Sequence, residues 1–179
     1  MKLSILILTF DLHKKKQTKS QNSRYMPRVC AKIGDKSLIE MAVDNALRLN
    51  AANIIIYVYK NNIEYINNML KRKPYSKLLT YMFSENLKFE DGHNLLVMPG
   101  NYPLLTVKTL LRMIAYNKNL KIDNNLFFLK SDSLHLFDKI SEMPVNKDFI
   151  ISSNELKKVE KEKDLRELNI NDSKIKNSL

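Results

Sequence analysis

The stretch LSILILT at Leu3–Thr9 constrains this chain more than any other feature. It is short and continuously apolar and is followed by the polar Asp11, the mark of a strand buried on both faces. Such a strand needs cover on two sides, and the sequence supplies it by alternation. Ser37 opens a helix, with Glu40 three positions later to complete a capping box, and Leu38, Met41, Ala42, Ala46 and Leu49 follow at helical spacing. Asn53–Tyr59 (NIIIYVY) is rich in β-branched and aromatic residues and reads as a second strand. Asn62–Leu70 repeats the helical pattern through Ile63, Ile66, Met69 and Leu70. Leu78–Phe83 and Asn94–Met98 are further strands, the latter stopped by Pro99-Gly100. Val107–Tyr116 is a third helix, and Asn125–Leu129 and Phe149–Ser152 have strand composition.

Strands and helices alternating at this spacing define an α/β domain with a mostly parallel sheet and helices on both faces. Right-handed crossovers then put a ligand site at the carboxyl ends of the strands, near Thr9–Asp11 and Gly100–Asn101. This domain is expected to occupy residues 1–153. Residues 154–179 differ in character. Ser152-Ser153-Asn154-Glu155 is another capping signature, and in Leu156–Asn169 only Leu156, Val159, Leu165 and Leu168 are apolar. A solvated helix carrying intrahelical ion pairs is expected there, in preference to a partner-binding helix, with 171–179 disordered.

The net charge of +11 raises nucleic acid as a partner. The cations gather at His13–Lys16, Lys19, Arg24, Arg28, Lys32 and Lys71–Lys73, without a long basic helix or an aromatic RNA-binding motif, so charge is the sole warrant for that partner. Cys30 is the only cysteine, which excludes an internal disulfide, and no Cys/His cluster has zinc spacing; its apolar-leaning Val29-Cys30-Ala31 setting makes a quiet packed thiol the expectation. A reducing, cytoplasmic setting follows as the expectation. The apolar start of the chain is too short to span a membrane and no small-residue cleavage site follows it, so no membrane partner is expected. His13, His93 and His135 are far apart, and no serine or cysteine sits in a nucleophile motif.

Three stretches in order carry a family resemblance: Met26-Pro27-Arg28-Val29, Ile33-Gly34-Asp35-Lys36-Ser37-Leu38-Ile39-Glu40, and Gly100-Asn101-Tyr102-Pro103-Leu104-Leu105-Thr106 with the helix after it. Together they resemble the sugar-1-phosphate nucleotidylyltransferases, and in particular the uridylyltransferase domain that makes UDP-N-acetylglucosamine, over about Met1 to Asn117. The resemblance implies a Rossmann-like nucleotide-diphospho-sugar transferase fold. It also implies a nucleoside triphosphate (UTP) and a sugar phosphate as partners, with Mg²⁺ as cofactor. In that family the sugar phosphate attacks the α-phosphorus and pyrophosphate leaves.

Carried over residue by residue, the resemblance makes Thr9, Phe10, Asp11, Lys14, Arg28 and Gly100 nucleotide-binding, Arg28 and Asn101 catalytic, and Asn101 a metal ligand. Several positions depart from the family pattern. Thr9–Lys16 holds no glycine, so backbone N–H groups cannot approach phosphates closely there. Asp11 opposes phosphate, while the charges of His13–Lys16 offer a different means of holding it. Arg28 stands for a lysine, and Asn101 replaces a carboxylate that would bring negative charge to a hard cation. Phe83 stands where the family has a base-reading glutamine, and Asp91-Gly92-His93 is all that matches a longer glycine–histidine loop. The expectation is a degenerate relative that binds nucleotide with weak or absent turnover. The alternatives are a basic nucleic-acid-binding module using His13–Lys16, Lys19 and Lys71–Lys73, or a structural subunit docking through its tail helix.

Overall fold

A computed structural model describes residues 2–10, 12, 27–83, 87–159 and 163–168. The elements run β1 (Lys2–Leu8), β2 (Lys32–Ile33), β3 (Lys36–Ser37), α1 (Leu38–Leu47), β4 (Asn53–Tyr57) and α2 (Ile63–Leu70). They continue as β5 (Leu79–Met82), β6 (His93–Pro99), α3 (Val107–Ala115), β7 (Leu120–Lys121), β8 (Phe127–Leu129) and a 3-10 helix at Ser131–Lys139. Six strands form one sheet in the order β5-β4-β1-β6-β8-β7, and β2 and β3 make a separate small hairpin. The expected α/β class is the one observed. β1 pairs in parallel with both β4 and β6, and β4 with β5.

The apolar run of β1 sends Leu3, Ile5 and Ile7 into one core cluster and Leu6 and Leu8 into the other. Ile39, Ala42, Val43 and Ala46 of α1, Ile66 and Leu70 of α2, and Leu110 and Met113 of α3 join the first cluster. The 3-10 helix covers the opposite face with Leu134, Leu136 and Phe137, beside Phe10, Leu87 and Phe89.

The strand expected at Asn125–Leu129 is present as β8, but it runs antiparallel to β6 and to β7. Its direction comes from the connection before it. α3 carries the chain past one strand position to β7 at the sheet edge, and residues 122–126 turn it back into the gap. Asp123 Oδ1 fixes that turn by accepting from the N–H groups of Asn125 (2.7 Å) and Leu126 (2.8 Å).

Phe149–Ser152, expected as a strand, pairs with none. The Phe149 ring lies against α3 instead, with the Arg112 guanidinium 5.1 Å from its centroid and the Tyr116 ring at 5.8 Å. The tail also departs from expectation. No helix starts at Leu156; Val159 is fully buried, and residues 163–168 form a helix whose Leu165 packs with Val159 on Leu38. Apolar contact with the N-terminus of α1 outweighs the Lys/Glu helical pattern there. The expected disorder of 171–179 and the lysine-rich loop from Asp11 to Tyr25 fall outside the described residues, save Leu12.

The capping box forms as the sequence implied. Ser37 Oγ accepts from Glu40 N (3.3 Å), and Glu40 Oε2 accepts from Ser37 N (2.8 Å) and Oγ (2.7 Å). Glu40 Oε1 also pairs with Lys73 beyond α2, so one buried carboxylate joins the two helices. Burial alone would raise the Glu40 carboxyl, but Lys73 and Ser37 outweigh it and hold it below the usual carboxylate range. A depressed carboxylate contributes stability that is present above its unfolded pKa and lost as pH falls through the folded one. Urea midpoints measured from pH 7 down through the acid range should therefore fall more for the natural chain than for Glu40→Gln. Parallel profiles would remove Glu40 from the acid response.

Candidate functional site

The carboxyl ends of β1, β4 and β6 meet in a small set of contacts. Gly100 N donates to Leu8 O (2.8 Å), and Thr9 donates to Tyr57 O through its N–H (3.2 Å) and its hydroxyl (2.8 Å). The Thr9 side chain is thus committed to the end of β4. Phe10 stacks on Tyr59 at 3.9 Å between ring centroids and tilts toward Tyr57 at 4.9 Å. Leu12 N donates to Asn125 Oδ1 (3.1 Å), which ties the exit of β1 to the turn before β8. Asp11 and Lys14 lie outside the described residues.

Arg28 begins a short 3-10 turn whose Val29 and Cys30 are buried while Arg28 itself is exposed. Its guanidinium makes no hydrogen bond or ion pair among the described residues. Val29 packs directly on Gly100: a Cβ placed there would lie 3.2 Å from Val29 Cγ1. Arg28 and Asn101 are each one residue from that contact, so the two stand on the same end of the sheet. Asn101, half-buried, is engaged by the tail. Its backbone O accepts from Val159 N (3.0 Å), and its side-chain Nδ2 donates to Val159 O (3.4 Å).

Beside this turn the N-terminus of α3 is capped twice. Thr106 Oγ1 accepts from Thr109 N (3.2 Å). Glu155 Oε1 accepts from Thr106 N (3.1 Å) and from the hydroxyls of Thr106 and Thr109 (both 2.7 Å). Burial would raise the Glu155 carboxyl, but those threonine donors hold it below the usual range. An open cleft of about 580 Å³ runs from here to α1, with Lys36, Arg48 and Lys108 among its lining side chains and Asp44 paired to Lys36 (2.5 Å).

One polar arrangement left no mark in the sequence. Ser4 Oγ lies 3.0 Å from His93 Nδ1, and His93 Nε2 lies 3.3 Å from Glu90 Oε2. It resembles a nucleophile–base–acid set but sits at the amino ends of β1 and β6. Ser4 is only 2% exposed, so no substrate reaches its hydroxyl, and the set is a buried polar link between strands. The sequence expectation of a quiet Cys30 agrees with its environment, where burial pushes the thiol up to about 11.

The Mg²⁺ expectation meets an unsuitable donor set. Asn101 offers a neutral amide whose nitrogen is held by Val159, and no group of three or more His, Cys, Asp or Glu side chains suited to a metal occurs among the described residues. These residues do not build a metal site, and no chemical step is assigned to one. Nor is any helix among them long and apolar enough to cross a membrane.

No protein-family model matches the chain. Solved structures do resemble it. The 4-diphosphocytidyl-2C-methyl-D-erythritol synthase of Anaerococcus prevotii matches with a TM-score of 0.64 and 12% identity over 96% of each chain. Rv0371c of Mycobacterium tuberculosis matches with a TM-score of 0.58 and 11% identity over 95% of this chain and 99% of that one. A manganese complex of Rv0371c matches at 0.52 with 11% identity, covering 82% of this chain and 79% of that one. What is shared at such identity is the fold, a nucleotidyltransferase-like fold of the nucleotide-diphospho-sugar transferase type.

Proposed function

We propose that this protein binds a nucleoside triphosphate at the carboxyl ends of β1 and β6 as a nucleotidyltransferase-like protein of nucleotide-sugar metabolism, with little catalytic turnover of its own. One observation carries the proposal: the exposed Arg28, with no hydrogen bond or ion pair among the described residues, is held beside the Gly100–Asn101 turn, in a fold whose ligands bind at strand ends. A guanidinium there grips phosphate oxygens in a bidentate fashion. The Phe10–Tyr59 pair supplies an aromatic surface at the same end of the sheet for the base. UTP and N-acetylglucosamine-1-phosphate are the substrates that the Pro27-Arg28 and Gly100–Leu105 segments suggest. Turnover is held down because Asn101 carries no charge and no group of three or more His, Cys, Asp or Glu side chains suited to a metal occurs among the described residues.

A nucleic-acid surface has less to stand on. Of the Lys71–Lys73 group, Lys73 is paired with Glu40 and Lys71 donates to Asn68 Oδ1 (2.6 Å).

The test pairs binding with turnover. UTP should bind the natural chain, and Arg28→Ala should weaken it about tenfold or more, the worth of a charge-assisted contact. Pyrophosphate release with UTP and N-acetylglucosamine-1-phosphate should be near background for the natural chain and for Asn101→Asp. Equal UTP affinity in the Arg28→Ala variant would remove the site, and robust turnover by the natural chain would overturn its degenerate character.

A further inference from the structure

The segment from Phe149 to Val159 reaches the very turn on which the nucleotide proposal depends. Val159, fully buried, exchanges two hydrogen bonds with Asn101, and Lys158 Nζ stands 5.6 Å from the centroid of the Tyr102 ring. Four residues earlier, Glu155 gathers three donors from Thr106 and Thr109 on one carboxylate oxygen. From Ser152 to Lys158 the chain is shallowly seated. Ser152, Ser153, Asn154 and Lys157 are exposed, and Leu156 and Lys158 are half-buried. A segment anchored by only two apolar side chains, Leu156 on the main core cluster and Val159 on Leu38, opens at less cost than the core and without unfolding the rest. The flanks are firmer: Phe149 rests on α3, and Leu165 packs on Leu38.

The side chain of Asn101 also takes on a different meaning. A carboxylate at that position would face the Val159 carbonyl oxygen and repel it, whereas an amide donates to it. The residue that departs from the family pattern is the one that suits a docked tail.

We propose that residues 152–159 form a displaceable cover over the strand-end site, clipped to the start of α3 by Glu155 and held across the end of β6 by Asn101, so that cover docking and nucleotide entry compete. The proposal rests on the nucleotide site described above. Under it, opening the cover frees Asn101 and the surface beside Arg28, and any ligand that needs that surface favours the open state by mass action.

Glu155→Ala separates the clip from the fold, because Thr106 continues to cap Thr109 N by itself. Glu155→Gln, which keeps an acceptor oxygen, serves as the milder variant. Two readouts are required on the full chain: hydrogen exchange of the 152–159 amides, and UTP affinity. Glu155→Ala should speed exchange of these amides about tenfold while β6 stays protected, and should tighten UTP binding several-fold, with Glu155→Gln in between. UTP added to the natural chain should speed the same exchange. If UTP instead slows it, or Glu155→Ala binds UTP more weakly, the segment is a wall of the site and the cover is overturned. Equal UTP binding by natural and variant chains rejects the cover and leaves the nucleotide site standing. Absence of UTP binding in all forms rejects the nucleotide site and the cover with it.

Discussion

Gly100→Ala is expected to lower stability by about 1–3 kcal/mol, the usual cost of forcing an extra methyl into a filled space. A Cβ at this position would lie 2.9 Å from Leu8 O, 3.2 Å from Val29 Cγ1 and 3.5 Å from Ile39 Cδ1. The nearest atom is a backbone oxygen at the end of β1, which also accepts the Gly100 N–H at 2.8 Å, so it cannot swing aside as a side chain would. Gly100 is not among the positive-φ glycines, and its requirement is therefore steric. Gly92 is the opposite case, with φ +76 and nothing within 4 Å, so Gly92→Ala costs only backbone strain of about 1–2 kcal/mol. Denaturant midpoints for the two variants distinguish the mechanisms when UTP affinity is read alongside. Gly100→Ala displaces Val29, and with it Arg28, and should weaken UTP binding as well as stability; Gly92→Ala should change stability alone. A Gly100→Ala chain as stable as the natural one would show that the end of β1 yields easily, contrary to the packing.

Phe128→Ala should cost more, about 3–5 kcal/mol, against a total stability of about 5–15 kcal/mol for an ordinary domain. Phe128 is fully buried in β8 and joins the cluster under the α-helices, while its neighbour Phe127 faces the other cluster at 5.9 Å from the Phe137 ring. Truncating Phe128 leaves a void in the cluster that the α-helices share with the sheet, where the sheet backbone cannot collapse inward. Ile150→Ala, at a residue 76% exposed, should change stability by no more than about 0.5 kcal/mol. Urea unfolding of the two variants, with Phe128→Leu in reserve if the alanine chain does not fold, gives the comparison. Similar midpoints for Phe128→Ala and Ile150→Ala would mean that β8 is not part of the cooperative core.

How far these features can be read from residues depends on the range over which their causes act. The apolar run at Leu3–Thr9 and the NIIIYVY run carry their own burial, because a strand with no polar alternation has no face to give to water. The Ser37–Glu40 box is equally local, since both partners lie within one helical turn. The place of the candidate site follows from these elements, as parallel strands end together on one side of the sheet. The antiparallel direction of β8 was not legible in this way. The LFFL segment at Leu126–Leu129 has the same composition in either direction, and the choice lies in the Asp123 turn and in the position to which α3 carries β7. Phe149–Ser152 was misplaced for a related reason: an aromatic residue in a short apolar run fits a strand or a seat on a helix equally well.

Residue patterns alone gave the alternation of β1, α1, β4, α2, β5, β6 and α3, the N-terminal cap of α1, the burial of Cys30 and the strand ends where the candidate site was placed, because each rests on neighbours a few residues apart or on simple periodicity. Only the packed fold shows that Thr9 is committed to the end of β4 and that the charged tail docks on Asn101 and Leu38. The tail shows the physical reason most plainly. Its Lys/Glu pattern favours a solvated helix by a few tenths of a kcal/mol per ion pair, whereas burying one valine and one leucine against α1 contributes about 1.5–3 kcal/mol each. That larger contribution depends on a surface more than a hundred residues away in the chain, which no local pattern can report.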